Sequence, residues 1–248
     1  MSTIKSKSQP FEFKQFKIAQ DACTMKVGTD GILLGASVEV AGVEKILDIG
    51  CGSGLIGIML AQRTKESVIH AVEIDEAAYL QAAGNMALSP WKKRLEAFCC
   101  SIQDYSMVTD HRYDLVVSNP PFFSGGTFSA NEDRNNVRHT VKLPNGDLLM
   151  AARKLLKKNG RFCVILPYLE GLRFQEQAEQ YGFHCTKMTE VVPKEGRPVE
   201  RLILQFELEA NELESKELVT NELVVHEADG KYTAAYVDLT KAFYRDMV

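Results

Sequence analysis

The chain has 248 residues, of which 45% are hydrophobic and 25% are charged, and its formal net charge is −4. This length accommodates one catalytic domain with small additions, and the net acidity argues against a uniformly basic nucleic-acid binder. No stretch approaches the ~20 apolar residues of a membrane span, and the first residues lack the apolar run of a signal peptide. We therefore expect a cytoplasmic protein, and we assume a monomer.

The six cysteines and five histidines do not suggest a metal site. The cysteines include no C-x-x-C pair, and the histidines show no metal-ligand spacing among themselves. We expect reduced thiols and no bound metal.

Charge is unevenly distributed along the chain. Between Phe206 and Ala228, seven glutamates face the single Lys216, a local balance of −6 that leaves +2 for the rest. Small basic clusters remain, and an isolated cluster of this kind is usually a solvated surface. The clusters include Lys92-Lys93-Arg94, Arg134 with Arg138 and His139, and Lys194 with Arg197 and Arg201.

The first predicted region, residues 1–44, is an N-terminal arm and a short helix that are expected to cover a cofactor site on the main domain. Phe11, Phe13, Phe16 and Ile18 suggest an extended arm. Thr29-Asp30 then offers an N-cap for an apolar helix over residues 31–40.

From residue 45 to residue 206, β-rich apolar runs alternate with segments of helical period, which predicts an α/β catalytic domain. The seven predicted strands span 45–49, 68–73, 95–100, 113–118, 161–166, 184–192 and 200–206. Helices are predicted over 55–63, 76–87, 146–158 and 171–181, with Asn159-Gly160 and Gly182 as stop signals. The polar stretch 124–144 is a long loop of the kind that is often functional or disordered. Residues 207–248 form an acidic segment, interpreted as a flexible bridge, and a C-terminal helical extension.

A glycine-rich turn follows the first predicted strand, in residues 46–54 (ILDIGCGSG). Glycine permits unusual dihedrals and lets a ligand approach the backbone closely. Glu73 stands nineteen residues after Gly54, at the end of the second strand, where it can accept hydrogen bonds from ribose hydroxyls. A dinucleotide site is the rival interpretation, but the G-x-G-x-G spacing lacks the G-x-x-G step, and Asp48 would repel a pyrophosphate.

Asn119-Pro120-Pro121-Phe122 follows the fourth predicted strand, at the edge of the sheet where ligands bind. An exocyclic amine is planar and weakly nucleophilic because its lone pair is conjugated with the ring. The Asn119 side-chain oxygen and the Pro120 carbonyl can each accept an amine hydrogen, while Phe122 offers a stacking face. The alternative is a purely structural role, in which the Pro-Pro step only terminates a strand.

The glycine turn resembles motif I of the class I S-adenosylmethionine methyltransferases. The resemblance implies a Rossmann-like, mostly parallel seven-stranded sheet with helices on both faces and an antiparallel last strand pair. It also implies that Glu73 binds the ribose of S-adenosylmethionine and that Asp104 binds its adenine amino group. The full set of cofactor-binding candidates is Thr29, Asp48, Gly50, Gly52, Gly54, Glu73, Asp104 and Asn119.

Asn119-Pro120-Pro121-Phe122 resembles the (D/N/S)-P-P-(Y/F/W) motif of the amino methyltransferases, which implies catalytic roles for Asn119, Pro120 and Phe122. Over nearly its whole length, the chain resembles the bacterial valine-tRNA adenine-N6 methyltransferases. That resemblance rests on the motif together with residues 16–20, 26–31, 138–139, 193–194 and 232–244. It implies N6-methylation of the adenosine 3′ of the anticodon, position 37, in a valine tRNA, with the target base stacked on Phe122. Arg134, Arg138, His139, Lys92-Lys93-Arg94 and the N-terminal lysines are candidates for RNA backbone contacts.

The four-residue motif alone leaves other amine acceptors open. A protein glutamine-N5 methyltransferase usually has a helical N-terminal substrate domain, for which the segment before residue 45 is short. A guanine-N2 methyltransferase of rRNA shares the same motif. A cofactor-binding RNA module without turnover is the non-enzymatic alternative.

Overall fold

The computed structural model describes residues 9–23, 26–121, 143–208 and 217–247. Seven α-helices and one 3-10 turn are found in these ranges. The α-helices are α1 (Thr29–Ser37), α2 (Leu55–Arg63), α3 (Glu76–Leu88), α4 (Ile102–Val108), α5 (Asn145–Leu155), α6 (Tyr168–Gln180) and α7 (Ala234–Thr240). Residues Lys92–Arg94 form the 3-10 turn.

Eight strands of the described chain form one mixed sheet, in the order β10-β8-β9-β7-β6-β3-β4-β5. Their bounds are β3 (Lys45–Ile49), β4 (Val68–Glu73), β5 (Leu95–Cys99), β6 (Tyr113–Ser118), β7 (Leu156–Pro167), β8 (Phe183–Lys194), β9 (Arg201–Leu208) and β10 (Val219–His226). All neighbours are parallel except β9, which runs antiparallel to both β7 and β8. Two short strands, β1 (Phe11–Glu12) and β2 (Lys17–Ile18), form a separate hairpin.

The prediction of seven strands is wrong by one. Strand β10 lies within the segment interpreted as a flexible bridge and pairs in parallel with β8 at the edge of the sheet. Its buried positions, Leu223 and Val225, alternate with more exposed ones. One buried face therefore suffices to hold this acid-containing edge strand in place.

The predicted boundary at Asn159-Gly160 is also wrong. Helix α5 ends at Leu155, and β7 begins with Leu156, which pairs with Tyr113 of β6. A Cβ at Gly160 would lie 2.8 Å from the Tyr113 carbonyl oxygen. This glycine thus permits close approach of two strands and does not stop the helix.

Helices cover both faces of the sheet because successive strand residues point to opposite sides. On one face, α4, α5 and α6 pack over alternate residues such as Leu47, Val116 and Phe162. On the other face, α1, α2 and α7 pack over Ile46 and Leu115. The α/β fold with a mostly parallel sheet and helices on both faces is therefore confirmed.

The first and last described segments lie side by side. Phe13 forms an antiparallel bridge with Tyr244, and the Lys14 backbone N–H donates to the Phe243 carbonyl at 2.8 Å. Phe13, Phe16 and Phe243 are buried together in one apolar cluster. None of the helices in the described part of the chain combines the length and apolar character needed to cross a bilayer.

Candidate functional site

A cavity of about 570 Å³ opens at the carboxyl edge of the sheet. Its walls come from the glycine turn after β3, the start of α1, the end of β6 and the adjoining ends of β8, β9 and β10. Among the predicted site residues, four line this cavity: Thr29, Gly50, Gly52 and Asn119. The topology therefore brings the glycine turn and the acceptor motif to one opening, as expected for an α/β sheet.

The glycines of the turn have two different roles. Gly50, Gly52 and Gly54 have φ angles of 69°, 54° and 77°, which side-chain-bearing residues rarely adopt. A Cβ at Gly50 or Gly52 would meet no atom within 4 Å, whereas at Gly54 it would lie 3.1 Å from Met86 Cε. The first two glycines thus leave open space for a ligand, and Gly54 permits packing against α3.

Asp48 lies beneath the turn and is fully buried. Its Oδ2 accepts a hydrogen bond from the Gly57 backbone N–H at 3.1 Å, but its Oδ1 has no partner in the described part of the chain. Burial raises the pKa of this carboxyl to about 7, the Gly57 bond opposes that rise, and Glu73 adds to it. A buried carboxyl with a vacant acceptor suits a cationic ligand group, whose charge would favour the ionised form.

Glu73, at the end of β4, binds the glycine turn. Its Oε2 accepts from the Gly52 backbone N–H at 2.9 Å and its Oε1 accepts from the Asp75 backbone N–H at 3.0 Å. Each carboxylate oxygen has a second lone pair and can still accept from a ligand hydroxyl. Glu73 does not line the cavity, so the arrangement fixes the turn and leaves ribose binding as a prediction.

Asp104 lies in the first turn of α4, a helix that the sequence analysis did not predict. The Ser101 hydroxyl accepts from the Asp104 backbone N–H at 3.0 Å and donates to Asp104 Oδ2 at 2.6 Å. Asp104 is exposed and outside the cavity lining, so adenine binding also stays a prediction.

Directly after β6, Asn119 presents an amide oxygen that is buried and has no hydrogen-bond partner among the residues that the structure describes. The preceding Ser118 donates its hydroxyl to the Ile49 carbonyl at 2.9 Å, which ties this strand end to the glycine turn. Pro120 is buried and Pro121 is exposed. Phe122, Arg134, Arg138 and His139 lie outside the described residues, as does most of the predicted 124–144 loop.

The predicted N-cap of the first helix is wrong. Helix α1 begins at Thr29, its N-cap is Gly28, and no side chain caps it. Asp30 instead accepts a hydrogen bond from Arg201 Nε at 3.0 Å, which joins the start of α1 to the start of β9. This ion pair lies on the cavity wall.

The N-terminal arm is fastened to the glycine turn through Asn85, which sequence reasoning missed. This buried α3 side chain accepts from the Ala19 backbone N–H at 3.0 Å and donates to the Ser53 carbonyl at 2.9 Å. The Ala22 backbone N–H donates to Gln81 Oε1 at 3.0 Å. An asparagine among the apolar positions of α3, Ala78, Ala82 and Met86, was the available signal.

Residues from the far side of the cavity were also not predicted as site residues. Pro193, Glu200, Arg201, Val225 and His226 contribute to its wall, and all belong to β8, β9, β10 or their connections. Within the described ranges, no cluster of His, Cys, Asp and Glu could hold a metal ion.

Residues 25–168 match the family model of the methyltransferase small domain. Solved structures agree on the fold: a predicted O-methyltransferase from Agrobacterium tumefaciens has a TM-score of 0.67 at 18% identity, covering 86% of this chain and 96% of its own. TYW2 of P. horikoshii, in complex with MeSAdo, has a TM-score of 0.58 at 12% identity, covering 84% of this chain and 73% of its own. The fold and the family model together define a methyltransferase.

Closer relatives narrow this class. The chain is 43% identical, over 98% of its length, to the tRNA1(Val) (adenine(37)-N6)-methyltransferase of Erwinia tasmaniensis, of which 99% is covered. The protein of the same name from Escherichia coli O157:H7 is also 43% identical, with 98% of each chain covered. This chain belongs to the tRNA1(Val) (adenine(37)-N6)-methyltransferase family.

Proposed function

We propose that this protein transfers a methyl group from S-adenosylmethionine to N6 of adenosine 37 in a valine tRNA, giving N6-methyladenosine. The observation that carries the proposal is the unpartnered Asn119 amide oxygen, which shares one cavity with Gly50 and Gly52. The names of relatives that are 43% identical over almost the whole chain support the choice of adenine and of this tRNA.

The residues around the glycine turn fit S-adenosylmethionine. Asp48, buried next to the turn and outside the cavity lining, would favour a cationic group nearby, and the open space at Gly50 and Gly52 permits close backbone approach. Thr29, at the start of α1, also lines the cavity. Glu73 would accept from the ribose hydroxyls and Asp104 from the adenine amino group. When bound, this cofactor supplies an electrophilic methyl group on a sulfonium.

Asn119 and Pro120 prepare the acceptor nitrogen. The Asn119 Oδ1 and the Pro120 carbonyl oxygen each accept one hydrogen of the N6 amine, which draws the lone pair out of conjugation with the adenine ring. Because both acceptors belong to a turn stiffened by two prolines, they are oriented before the base enters. Phe122 would stack on the base, and one N6 proton is released to solvent after transfer.

We assign a role to each of the three regions of the chain. Residues 1–44 would cover the cofactor site, 45–206 would form the catalytic domain, and 207–248 would complete it as an acidic segment and C-terminal extension. Contacts of the arm with Asn85 and Gln81 support the covering role. We place the enzyme in the cytoplasm, acting as a monomer on tRNA.

Nucleoside mass spectrometry of tRNA and rRNA from cells lacking the protein tests the proposal, with labelled-methyl transfer to purified valine tRNA as the in vitro counterpart. We expect loss of N6-methyladenosine from the valine tRNA and its return with the wild-type gene but not with Asn119→Ala. Missing N2-methylguanosine in rRNA, or an unmethylated protein glutamine, alongside intact tRNA adenine methylation would reject it.

A further inference from the structure

The cavity extends well beyond the glycine turn and the acceptor motif. Its far wall contains His226, the last residue of β10, with Val225 beside it and Val191 and Pro193 of the neighbouring β8. Four strand spacings, through β7, β9 and β8, separate the ends of β6 and β10 in the sheet order. At about 4.8 Å per spacing, the strands that lead to Asn119 and His226 lie about 19 Å apart across the sheet, too far for both residues to touch the same base.

His226 ends a column of three stacked rings. It forms an antiparallel bridge with Tyr232, and such directly opposed residues bring their side chains together. The His226 and Tyr232 rings lie 4.7 Å apart at 29°, and Tyr232 and Tyr236 lie 4.9 Å apart at 25°. Tyr236 is buried, so the column is anchored in the core and its other end, His226, reaches the cavity.

The His226 ring is also fixed in its plane. Its Nδ1 lies 2.9 Å from the Pro193 carbonyl oxygen and therefore donates, which leaves Nε2 without a partner in the described structure. Tyr232 is the only ring in contact with His226 among the described residues, so the second face of the imidazole has no ring on it. Val191 and Val225, which also line the cavity, are buried. The result is a flat aromatic surface at the cavity wall, held by the Pro193 bond and by the stacked Tyr232 ring.

The charged residues near His226 do not indicate a binding site for an anionic group such as phosphate. The connection between β8 and β9 contains Glu195 and Arg197, and Asp229 of the following turn pairs with Lys231 at 2.6 Å. Acids and bases balance, which is unlike a phosphate site. Fixed aromatic faces, by contrast, are what proteins use to stack the unpaired bases of single-stranded RNA.

We propose that His226 is a stacking platform for a nucleobase of the anticodon loop other than the methylated adenine. This inference rests on the proposed function, because it requires a tRNA substrate whose loop spans the cavity. His226 thereby acts as a positioning residue: it binds a flanking base and sets which adenosine reaches Asn119.

The test compares the wild-type protein with His226→Ala, which removes the ring, and with His226→Phe, which keeps a ring but loses the bond to Pro193. His111→Ala is the matched control, since His111 is an exposed histidine before β6, at the opposite edge of the sheet. The substrates are valine tRNA transcripts, unmodified or with one abasic nucleotide at each anticodon-loop position in turn. Fluorescence anisotropy gives the Kd for RNA, and labelled-methyl transfer gives KM and kcat.

We expect His226→Ala to raise the Kd and KM for tRNA about tenfold, the effect of losing one stacked base. Its kcat and S-adenosylmethionine affinity should match wild type, and His226→Phe and His111→Ala should stay within about twofold. One abasic position should weaken wild-type binding about tenfold and leave His226→Ala unaffected, because both changes remove the same contact.

Equal behaviour of His226→Ala and His226→Phe would overturn the inference, as would the absence of any abasic position that distinguishes wild type from His226→Ala. If the wild-type protein methylates valine tRNA in either case, the proposed function survives and only the platform is lost. If wild type methylates no tRNA at all, both fail together.

Discussion

Two aspartates on adjacent strands have opposite electrostatic settings. Asp114, near the start of β6, accepts from the Lys45 and Glu44 backbone N–H groups at 2.9 and 3.1 Å and pairs with Lys157 at 2.7 Å. Burial alone would raise its pKa, but these bonds outweigh it and hold the pKa below its ordinary value. Asp48, near the end of β3, has one backbone partner, and its pKa rises to about 7.

The contrast between these aspartates follows their positions: Asp114 lies at the amino edge of the sheet, and Asp48 lies at the carboxyl edge beside the glycine turn. At the amino edge, several polar side chains find partners within the chain: His70 Nδ1 lies 2.8 Å from the Tyr113 hydroxyl, and Arg94 donates to the Ala61 and Ser67 carbonyls at 2.7 Å. Among the described residues, four buried side-chain oxygens have no partner: those of Asp48 and Asn119 at the carboxyl edge, and those of Ser37 and Gln62 near the ends of α1 and α2. An unmade buried hydrogen bond costs about 1–3 kcal/mol, which a suitable ligand would recover.

The largest effect is expected for Asn119→Ala. Removing the amide oxygen should lower kcat for tRNA methylation about 10²–10³-fold, the usual consequence of losing one oriented hydrogen-bonding group in a reaction centre. The variant should still bind S-adenosylmethionine through the glycine turn and keep its melting temperature, because the lost oxygen has no partner among the described residues. Asn145→Ala, an exposed position at the start of α5, is the control. Normal turnover of Asn119→Ala would remove the motif's assigned role.

Gly52→Ala should weaken S-adenosylmethionine binding about 10–100-fold. The added methyl would project into the open space of the turn, and a φ of 54° would cost roughly 1–2 kcal/mol. Gly84→Ala, exposed within α3 where a Cβ meets nothing, should leave affinity unchanged and raise stability by about 0.5–1 kcal/mol. Calorimetric titration and thermal unfolding of both variants measure this contrast, and equal cofactor affinity in the two would contradict it.

Asp48 should make cofactor binding depend on pH. The ionised carboxyl favours a cationic ligand, so S-adenosylmethionine affinity should rise up to tenfold per pH unit below about pH 7 and level off above it. Stability of the free protein should fall between about pH 4 and pH 7, because the native carboxyl holds its proton after the unfolded one has lost it. Asp48→Asn should remove the pH dependence of cofactor affinity, measured by titration calorimetry, and of stability, measured by urea unfolding. If the variant keeps the pH dependence of the wild type, a group other than Asp48 is responsible for it.

The smallest effect is expected at the other aspartate. Asp114→Asn should lower stability by about 1 kcal/mol at pH 7, because Lys157 is partly exposed and its ion pair is screened by solvent. Since the native pKa is depressed, the contribution exists above about pH 4 and disappears as pH falls through the native pKa, so wild type and variant should converge in acid. Urea unfolding at pH 7 and in acid checks this. A change in cofactor affinity in Asp114→Asn would contradict the assignment of cofactor binding to the carboxyl edge alone.

Sequence patterns predicted best where burial is continuous. The bounds of β3, β4, β6 and α2 agree with the predictions, because each combines an apolar run with glycine or polar stops. Strand β10 was missed because its glutamates hide a half-buried edge strand. Helix α4 was missed because its seven residues are too few to show a helical period. Ser101 and Asp104, three residues apart, did carry a capping signal for its start.

For the site, spacing located the residues but not their hydrogen bonds. Gly50, Gly52 and Asn119 reach one cavity because parallel strands deliver their carboxyl ends to one edge. The backbone bonds of Glu73 and Asp104 depend on turn geometry that a linear pattern does not contain. The far wall of the cavity was not predicted, because His226 and Arg201 reach it only through the order in which β8, β9 and β10 pair in the sheet. The linear sequence does not contain this order.

The contacts between the N-terminal arm and residues 243–245 bear on when the arm becomes fixed during synthesis. Phe13 and Lys14 contact Tyr244 and Phe243, and Glu12 pairs with Arg245, so the arm is secured by residues made more than 200 positions later. A nascent chain long enough to include β9 can assemble much of the sheet, since domains begin to fold during synthesis. The arm next to the glycine turn gains its final anchor only after residue 243 has emerged. We therefore expect the arm to be fixed beside the glycine turn only after these later residues have been made.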